Sequence, residues 1–310
     1  MDCASSQEGR KLVQALLPST DLAEIDRNLA ETDAAMLRIG LYGTLSFSGV
    51  KDVRDSLKRL EIAASLSAAE LLSISGVLTV AGRAKAYARD SEKTPEAPKP
   101  VPRAVRLSAH YTKNQPDPEK LREETADDAL SPYFRDIEPL SPVNKEIVRC
   151  ILSEDEIADD ASAGLFSVRK KKHALEERIH TTLNGILNGS RDLLQDAVIT
   201  MRDGRYCLPV KAEYKSSFPG MVHDQSATGS TLFIEPMSIV KLNNDIRELE
   251  ADEKKEIEKV LDTLSGSLMP YTEQIRQDIE ILAQLDFVFA KAKLATSMRA
   301  TRPVLNDHYY

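Results

Sequence analysis

The longest regular pattern in the sequence is an apolar stripe that begins at Leu242 and stops before Pro270. Its members lie mostly three or four residues apart, and charged residues, chiefly glutamate and lysine, occupy many of the positions between them. This spacing places the apolar side chains on one side of a long helix, which must pack against another helix to bury them. A second stripe, over residues 275–301, is wide enough for a buried core helix. The first stripe consists of Leu242, Ile246, Leu249, Ile257, Val260, Leu264 and Leu268.

Capping residues predict further helices earlier in the chain. Asp21 supplies a cap oxygen ahead of an apolar stripe, and Ser67 with Glu70 forms a capping box. Apolar residues at helical spacing also predict a helix that begins after residue 157 and ends at about residue 195. Two Asn-Gly pairs weaken the end of that helix, so we expect it to bend or stop near Gly189.

A segment of different character, from residue 198 to residue 236, lies between two of the predicted helices. The runs from Arg205 to Val210 and from Thr231 to Ile234 are rich in strand-forming residues, and turn-forming residues separate them. The sequence therefore predicts a mainly α protein that contains one small β unit.

Prolines are concentrated between residues 91 and 131, which hold six of the fifteen in the chain. Proline removes a backbone donor and restricts the residue before it, so helix and sheet are both disfavoured there. We expect an extended, mobile insertion, with a short helix near residues 119–125.

Together these segments predict a helical bundle from which one helix leaves, a small β unit, and a second helix that returns antiparallel to the first. The helix pair would act as a protruding lever tipped by the β unit. The predicted boundaries are 1–152 for the helical core with its insertion, 153–197 for the ascending helix, 198–236 for the β unit, 237–268 for the descending helix and 269–310 for a last core helix.

Charge, cysteine content and hydropathy exclude several classes of protein. The net charge of −8 argues against a protein that wraps nucleic acid over its whole surface, so any such contact must be local. Cys3, Cys150 and Cys207 are odd in number and lack metal-ligand spacing, so neither a disulfide framework nor a zinc site is indicated. No run approaches about 18 apolar residues and no signal pattern opens the chain, so we expect a cytoplasmic protein without a membrane partner.

Two strings in the β segment carry a resemblance to a known family. Residues 202–211 read RDGRYCLPVK, and residues 220–236 read GMVHDQSATGSTLFIEP. The chain resembles the bacterial second-type MutS family, whose members carry an Smr nuclease domain. The resemblance covers almost the whole chain outside the proline-rich insertion. Shorter matches are PSTD at 18–21, DEIADDAS at 155–162, LNN at 242–244 and LDFVFAKA at 285–292.

The resemblance implies a MutS-like core, paired levers and a reduced clamp, in a protein that binds branched or duplex DNA and suppresses homologous recombination. The family's P-loop, GxxxxGK[ST], is absent, and the chain ends at Tyr310, near the expected start of the ATPase. We therefore expect a non-catalytic fragment, without the family's usual opening helix, of a homodimeric ATPase and endonuclease. The fragment itself would hold no catalytic, cofactor or metal residues, and ATP and Mg²⁺ would bind to the rest of the parent protein.

The cations of the β unit are the first candidate contacts for nucleic-acid phosphates, because they outnumber the acids around them. Solvated charges that guard strand edges are an equally weighted interpretation. The candidates are Arg202, Arg205, Lys211 and Lys215, with His223 beside them.

A second group of cations lies on the predicted ascending helix. Four consecutive basic residues must point in different directions around a helix, so a solvated face is the favoured interpretation and a track for a nucleic-acid backbone the alternative. The candidate contacts are Arg169, Lys170 and Lys172, in a run that also includes Lys171, Arg178 and Arg191.

Three other groups of residues bear on function. His223 and Asp224 with Glu235 form a candidate metal or general-base site, but no second histidine or further carboxylate lies at ligand spacing, and turns use Asp for local hydrogen bonds. Asn243 and Asn244 are expected to fix the junction between helix and β unit by hydrogen bonds. Phe233 and Glu235 match the Phe-x-Glu pattern of mismatch-reading MutS proteins, but a buried strand aromatic is the commoner case, so mismatch specificity is not predicted.

Two alternative functions remain open at the level of sequence. Within the same family, the paired helices would grip the surface of collided ribosomes, where ribosomal RNA is equally rich in phosphate. In a different class, the chain would be a coiled-coil scaffold without a nucleic-acid partner, as the acidic helix after residue 245 suggests.

Overall fold

A computed structural model describes residues 3–92 and 127–305 of the chain. The chain divides into two compact units. Unit 1 comprises Met1–Glu156 and Leu261–Tyr310, and unit 2 comprises Ile157–Val260. Most of the expected proline-rich insertion, including its short helix near residues 119–125, lies outside the described residues. The projection of the helix pair as a lever stays a prediction.

Helices dominate the described residues, as the sequence predicts, and none of those helices is long and apolar enough to cross a membrane. The α-helices are α1 (Gln7–Ala15), α2 (Leu22–Tyr42), α3 (Arg54–Glu61), α4 (Ala68–Glu92), α5 (Ser131–Asp136), α6 (Ser141–Cys150), α7 (Ala163–Gly189), α8 (Val240–Leu268) and α9 (Thr272–Met298). The strands are β1 (Ile151–Ser153), β2 (Glu156–Ile157), β3 (Thr200–Arg202), β4 (Arg205–Lys211), β5 (Gly220–Gln225) and β6 (Thr231–Pro236), and 3₁₀ turns occupy Arg191–Leu193, Ala212–Ser217 and Met269–Tyr271.

Local start signals set the beginnings of the helices. The carboxylate of Asp21 accepts the backbone N–H groups of the first turn of α2 at 2.9 and 3.3 Å. Glu70 accepts the Ser67 N–H at 2.9 Å while the Ser67 hydroxyl accepts the Glu70 N–H at 3.3 Å, which confirms the capping box of α4. As predicted, α7 ends at Gly189, and Pro270 lies in the turn between α8 and α9. Helices α1, α5 and α6 and the short strands are not predicted by the sequence patterns.

The core of unit 1 forms around α9, which is buried along most of its length, as the wide apolar stripe predicts. Helices α1, α2, α3 and α4 all pack against it. Phe289 on α9 makes an edge contact with Phe47, with ring centroids 5.6 Å apart. Each fully buried side chain of this size stabilises the fold by roughly 1.5 to 3 kcal/mol.

A buried ion pair anchors the start of the second described range, residues 127–305, to α2. Nε of Arg38 on α2 donates to Asp128 at 2.7 Å, and both side chains are nearly inaccessible to solvent. Asp128 also accepts the Ser131 N–H at 3.1 Å, at the start of α5. The segment that begins at Asp127 is therefore attached to α2 before the next helix starts.

In unit 2, α7 and α8 pack side by side and run antiparallel. Arg169, early in α7, contacts Glu253, late in the part of α8 that belongs to this unit. The later residues of α7 share an apolar cluster with the first turns of α8. The same cluster includes one face of a four-stranded antiparallel sheet of order β3-β4-β6-β5. Its members include Ile179, Leu183, Leu187, Leu208, Val210, Leu232, Ile234, Leu242 and Ile246.

Candidate nucleic-acid interface

Arg205 and His223, two of the predicted contacts in the β unit, meet at one carboxylate. Nη1 of Arg205 donates to Oε1 and Oε2 of Glu235 at 2.8 and 3.1 Å, and Nε2 of His223 lies 2.6 Å from Oε2. Glu235 is fully buried, and the Arg205 and His223 side chains are each only 15% exposed. Nη1 of Arg205 and Nε2 of His223 are therefore bonded inside the unit, and little of either side chain is exposed to a phosphate.

The two asparagines at the start of α8 extend this network. Asn243 donates to Glu235 at 2.7 Å and exchanges hydrogen bonds with the backbone N–H and carbonyl of Tyr206, both at 3.2 Å. Asn244 accepts from Nη2 of Arg205 at 2.7 Å. These bonds join β4, β6 and α8, which confirms the prediction that the asparagine pair fixes the junction between helix and β unit.

The same network argues against metal or base chemistry at His223 and Glu235. The Glu235 carboxylate already accepts from Arg205, His223 and Asn243, so its oxygens are occupied by donors. Within the described residues, no group of three potential metal ligands lies close together.

Burial, followed by the charge of Glu235, raises the pKa of the Cys207 thiol to about 11, which keeps it protonated and a poor nucleophile.

Arg202 lies over the aromatic ring suggested by the mismatch-reading pattern. Its guanidinium carbon is 3.8 Å from the centroid of Phe233, and its Nε is 3.1 Å from Asp224. Phe233 is half-buried beneath this cation and does not protrude as a wedge. Arg202 keeps 37% of its side chain exposed, so it can still face solvent while stacked.

Lys211 and Lys215 lie near the end of the sheet where β4 leads into a 3₁₀ turn. Lys211 donates to the Asp192 carbonyl at 3.0 Å, and Lys215 is exposed on the turn itself. The Ala212 N–H donates to the Ser230 carbonyl, which brings the hydroxyl-rich hairpin over residues 226–230 beside this turn. This end of the sheet therefore combines the exposed Lys215 and the partly buried Lys211 with small polar side chains.

On α7 the basic run divides into inward and outward residues. Nε of Arg169 donates to Glu253 on α8 at 2.8 Å, and Nζ of Lys172 donates to the same carboxylate at 3.0 Å. Burial raises the pKa of Glu253, but these two hydrogen bonds outweigh it and hold that pKa below its usual range. Arg169 also pairs with Asp159. Arg169 and Lys172 thus join the helices, whereas Lys170 is exposed.

An open groove of about 710 Å³ runs along α7 beside this ion-pair group. Its lining carries both signs of charge, so it offers no uniformly positive surface to an anion. The basic side chains are Arg169, Lys170 and Lys172, and the acidic ones are Asp159, Glu176, Glu177 and Glu253. Glu253 is not predictable from the sequence as the shared partner of Lys172 and Arg169, because nothing local links it to residues 81 and 84 positions away.

Comparison with known proteins places this chain beside one named group. It is 47% identical to endonuclease MutS2 of Lachnoclostridium phytofermentans, over 99% of the chain and 36% of the relative. Identity is 46% to endonuclease MutS2 of Lachnospira eligens, over 96% of the chain and 34% of the relative, and 38% to that of Acetivibrio thermocellus, over 99% and 35%. The chain thus spans about a third of the length of these curated relatives. No protein-family model matches it.

Proposed function

Because this chain belongs to the endonuclease MutS2 family and corresponds to about a third of the length of its relatives, we propose that it is a DNA-gripping part of a larger protein. Unit 1 is the helical core, and unit 2 is the lever and reduced clamp that contact duplex or branched DNA. The chain itself carries out no chemistry in this proposal. ATP hydrolysis with Mg²⁺ and nuclease cleavage belong to the part of the relatives that it does not match.

The observation that carries the proposal is the construction of unit 2. A small sheet is joined to α8 through the buried carboxylate of Glu235, and it shares one apolar cluster with α7 and α8, so its surface is held in place by the two helices. A preorganised surface binds more tightly because little conformational entropy is lost on binding. Exposed lysines at the end of the sheet and on α7 supply positive charge on a chain whose net charge is −8.

Among the predicted contact residues, we propose that the exposed lysines make the contacts with phosphate. These are Lys170 and Lys215, together with Lys211, whose ammonium group retains two further protons beyond the one donated to Asp192. Arg202 is a secondary contact above Phe233. Arg169, Lys172, Arg205 and His223 act indirectly, because they hold the helices and strands in place.

In the whole protein, we propose that two copies enclose the DNA between their levers, driven by ATP binding elsewhere in each chain. Binding of branched DNA followed by nuclease cleavage would suppress homologous recombination, in the cytoplasm. In this process the present chain binds and orients the DNA, and the other domains carry out the covalent steps.

The test measures binding of the 310-residue chain to labelled duplex and four-way-junction DNA by fluorescence anisotropy over a range of salt concentrations. We expect affinity that falls steeply with salt, because phosphate contacts release counterions. A parallel series with isolated ribosomes examines the ribosome-binding alternative. If the chain binds ribosomes tightly but does not bind DNA at low salt, the ribosome-binding alternative replaces the DNA proposal. If it binds neither, the coiled-coil scaffold is the remaining function.

A further inference from the structure

One exposed face of α7 carries positive charge without any acid. We define the exposed α7 stripe as the residues spaced alternately four and three apart along this helix, a spacing that keeps them on one side. All of them are exposed, and they lie on the side of α7 away from the buried Ile179 and Leu183. The stripe consists of Ser167, Lys171, Ala174, Arg178, Thr181 and Gly185.

The two cations of the stripe are not neutralised by their neighbours on the helix. The residues three and four positions from Lys171 and from Arg178 are serine, valine, alanine, leucine or threonine, and none is acidic. Within the described part of the chain, neither side chain forms an ion pair. By contrast, Lys255 on α8 pairs with Asp252 at 3.1 Å. The stripe therefore keeps its positive potential in a chain whose net charge is −8.

No contact among residues 3–92 and 127–305 requires glycine at position 185 of the stripe. A Cβ added there would meet nothing within 4 Å, and the backbone does not adopt a positive φ. Glycine inside a helix weakens it relative to alanine, so this position has a disadvantage that internal packing does not offset. A bare helix surface does allow an external backbone to approach closely.

The stripe continues toward the cations at the end of the sheet. After α7 ends, Nη2 of Arg191 donates to Asn188 at 3.3 Å, and Lys211 donates to the next residue, Asp192, at 3.0 Å. From Lys171 to Asn188 the helix rises about 26 Å, at 1.5 Å per residue. A DNA duplex rises the same distance over roughly eight base pairs.

We propose that the exposed α7 stripe, continued by Arg191 and Lys211, is a track for the phosphodiester backbone of duplex DNA. The proposal rests on the proposed function and names the surface that performs it. A helix of a protein partner is the competing occupant, but the stripe offers almost no apolar side chain for such a helix to bury. Unpaired cations separated by small residues complement a polyanion instead.

The test compares two double variants of the 310-residue chain. One is Lys171→Ala with Arg178→Ala, and the matched control is Lys255→Ala with Lys259→Ala, which removes the same charge from exposed positions of α8. Binding to labelled duplex DNA is measured by anisotropy across a salt series. We expect about tenfold weaker binding at low salt and a salt slope smaller by about two for the stripe variant, against about twofold or less for the control.

A third variant, Gly185→Gln, distinguishes the loss of a DNA contact from the loss of folded structure. Glutamine favours helix more than glycine does, so this change should not weaken α7, yet it places a side chain in the path of the backbone. We expect weaker DNA binding together with unchanged or increased thermal stability.

The outcomes distinguish this inference from the proposed function. If the wild-type chain binds DNA and the stripe variant binds as tightly as the control, the track is wrong and the proposed function stands. If the wild-type chain does not bind duplex DNA at low salt, both are wrong. If the stripe variant loses affinity for double-stranded RNA while its DNA affinity is unchanged, a DNA track is overturned in favour of an RNA surface.

Discussion

Oε2 of Glu235 lies 2.6 Å from Nε2 of His223, and the Glu235 carboxylate is fully buried in the β unit. The same carboxylate accepts from Arg205 and Asn243, so residues of two strands and one helix share a single acceptor on a third strand. A buried charge is tolerated when donors surround it in this way. The most distinctive sequence in the chain therefore encodes a structural junction as well as a surface.

Replacing Glu235 with alanine should destabilise unit 2 by about 3 to 5 kcal/mol, because the buried donors of Arg205 and Asn243 lose their acceptor. Urea unfolding followed by circular dichroism measures the change, and hydrogen exchange of the β4 amides localises it. Asp224→Ala is the control, since Asp224 is 49% exposed in its pair with Arg202 and its loss should cost about 1 kcal/mol or less. Equal small effects from both variants would contradict the prediction.

Replacing Glu253 with glutamine should loosen the contact between α7 and α8 by about 2 kcal/mol at neutral pH, because two charged hydrogen bonds are lost. The lowered pKa of Glu253 means that this stabilisation is present above the ordinary value of 4.5 and is lost as pH falls through the folded-state value. Wild type and variant should therefore converge in acid. Urea unfolding over a pH series measures this, and a difference that stays constant with pH would disprove the assignment.

Asp278 on α9 should make unit 1 less stable as pH rises. Burial raises its pKa from 3.8 to about 6, and Oδ2 has no hydrogen-bond partner among the described residues. Since the folded state favours the protonated form, stability is fully present below pH 3.8 and is lost as pH rises through about 6.

The variant Asp278→Asn cannot ionise, so its stability relative to wild type should increase between pH 4 and pH 7.5 by roughly 3 kcal/mol, the equivalent of that pKa difference. Parallel urea titrations of the two proteins at several pH values provide the comparison. A relative stability that does not change with pH would show that the ionised carboxylate is not penalised.

Asp286 on α9 should hold the N-terminal segment in place. Its carboxylate accepts the N–H groups of Ser5 and Ser6 at 3.1 and 2.7 Å and the Ser6 hydroxyl at 2.6 Å. Asp286→Ala should cost about 2 to 3 kcal/mol and expose α1 to proteolysis, because these donors become unpaired. Limited proteolysis with mass spectrometry detects the cleavage.

The control for this variant is Asp55→Ala, because the Asp55 side chain is 96% exposed and its loss should change stability by less than about 1 kcal/mol. Unchanged protection of α1 in Asp286→Ala would mean that apolar packing alone retains the N-terminal segment.

The sequence alone determined the helical character of the chain, several of its boundaries and its family. Asp21, the Ser67 and Glu70 pair, Gly189 and Pro270 each act on backbone groups within a few residues, so their effects can be read without knowing the fold. The family resemblance rests on two long strings in the β unit, which are specific whatever their geometry.

Only the tertiary structure decided which cations face solvent. Arg169 and Lys172 turn toward Glu253 and Arg205 turns toward Glu235, whereas Lys171 and Arg178 remain outside. The short strands β3 and β5 likewise depend on pairing with neighbours more than on their own residues. The physical reason is the separation along the chain over which each effect acts. Helix caps and helix-breaking residues act through adjacent backbone groups, but an ion pair between residues 84 positions apart exists only once packing has brought two helices together.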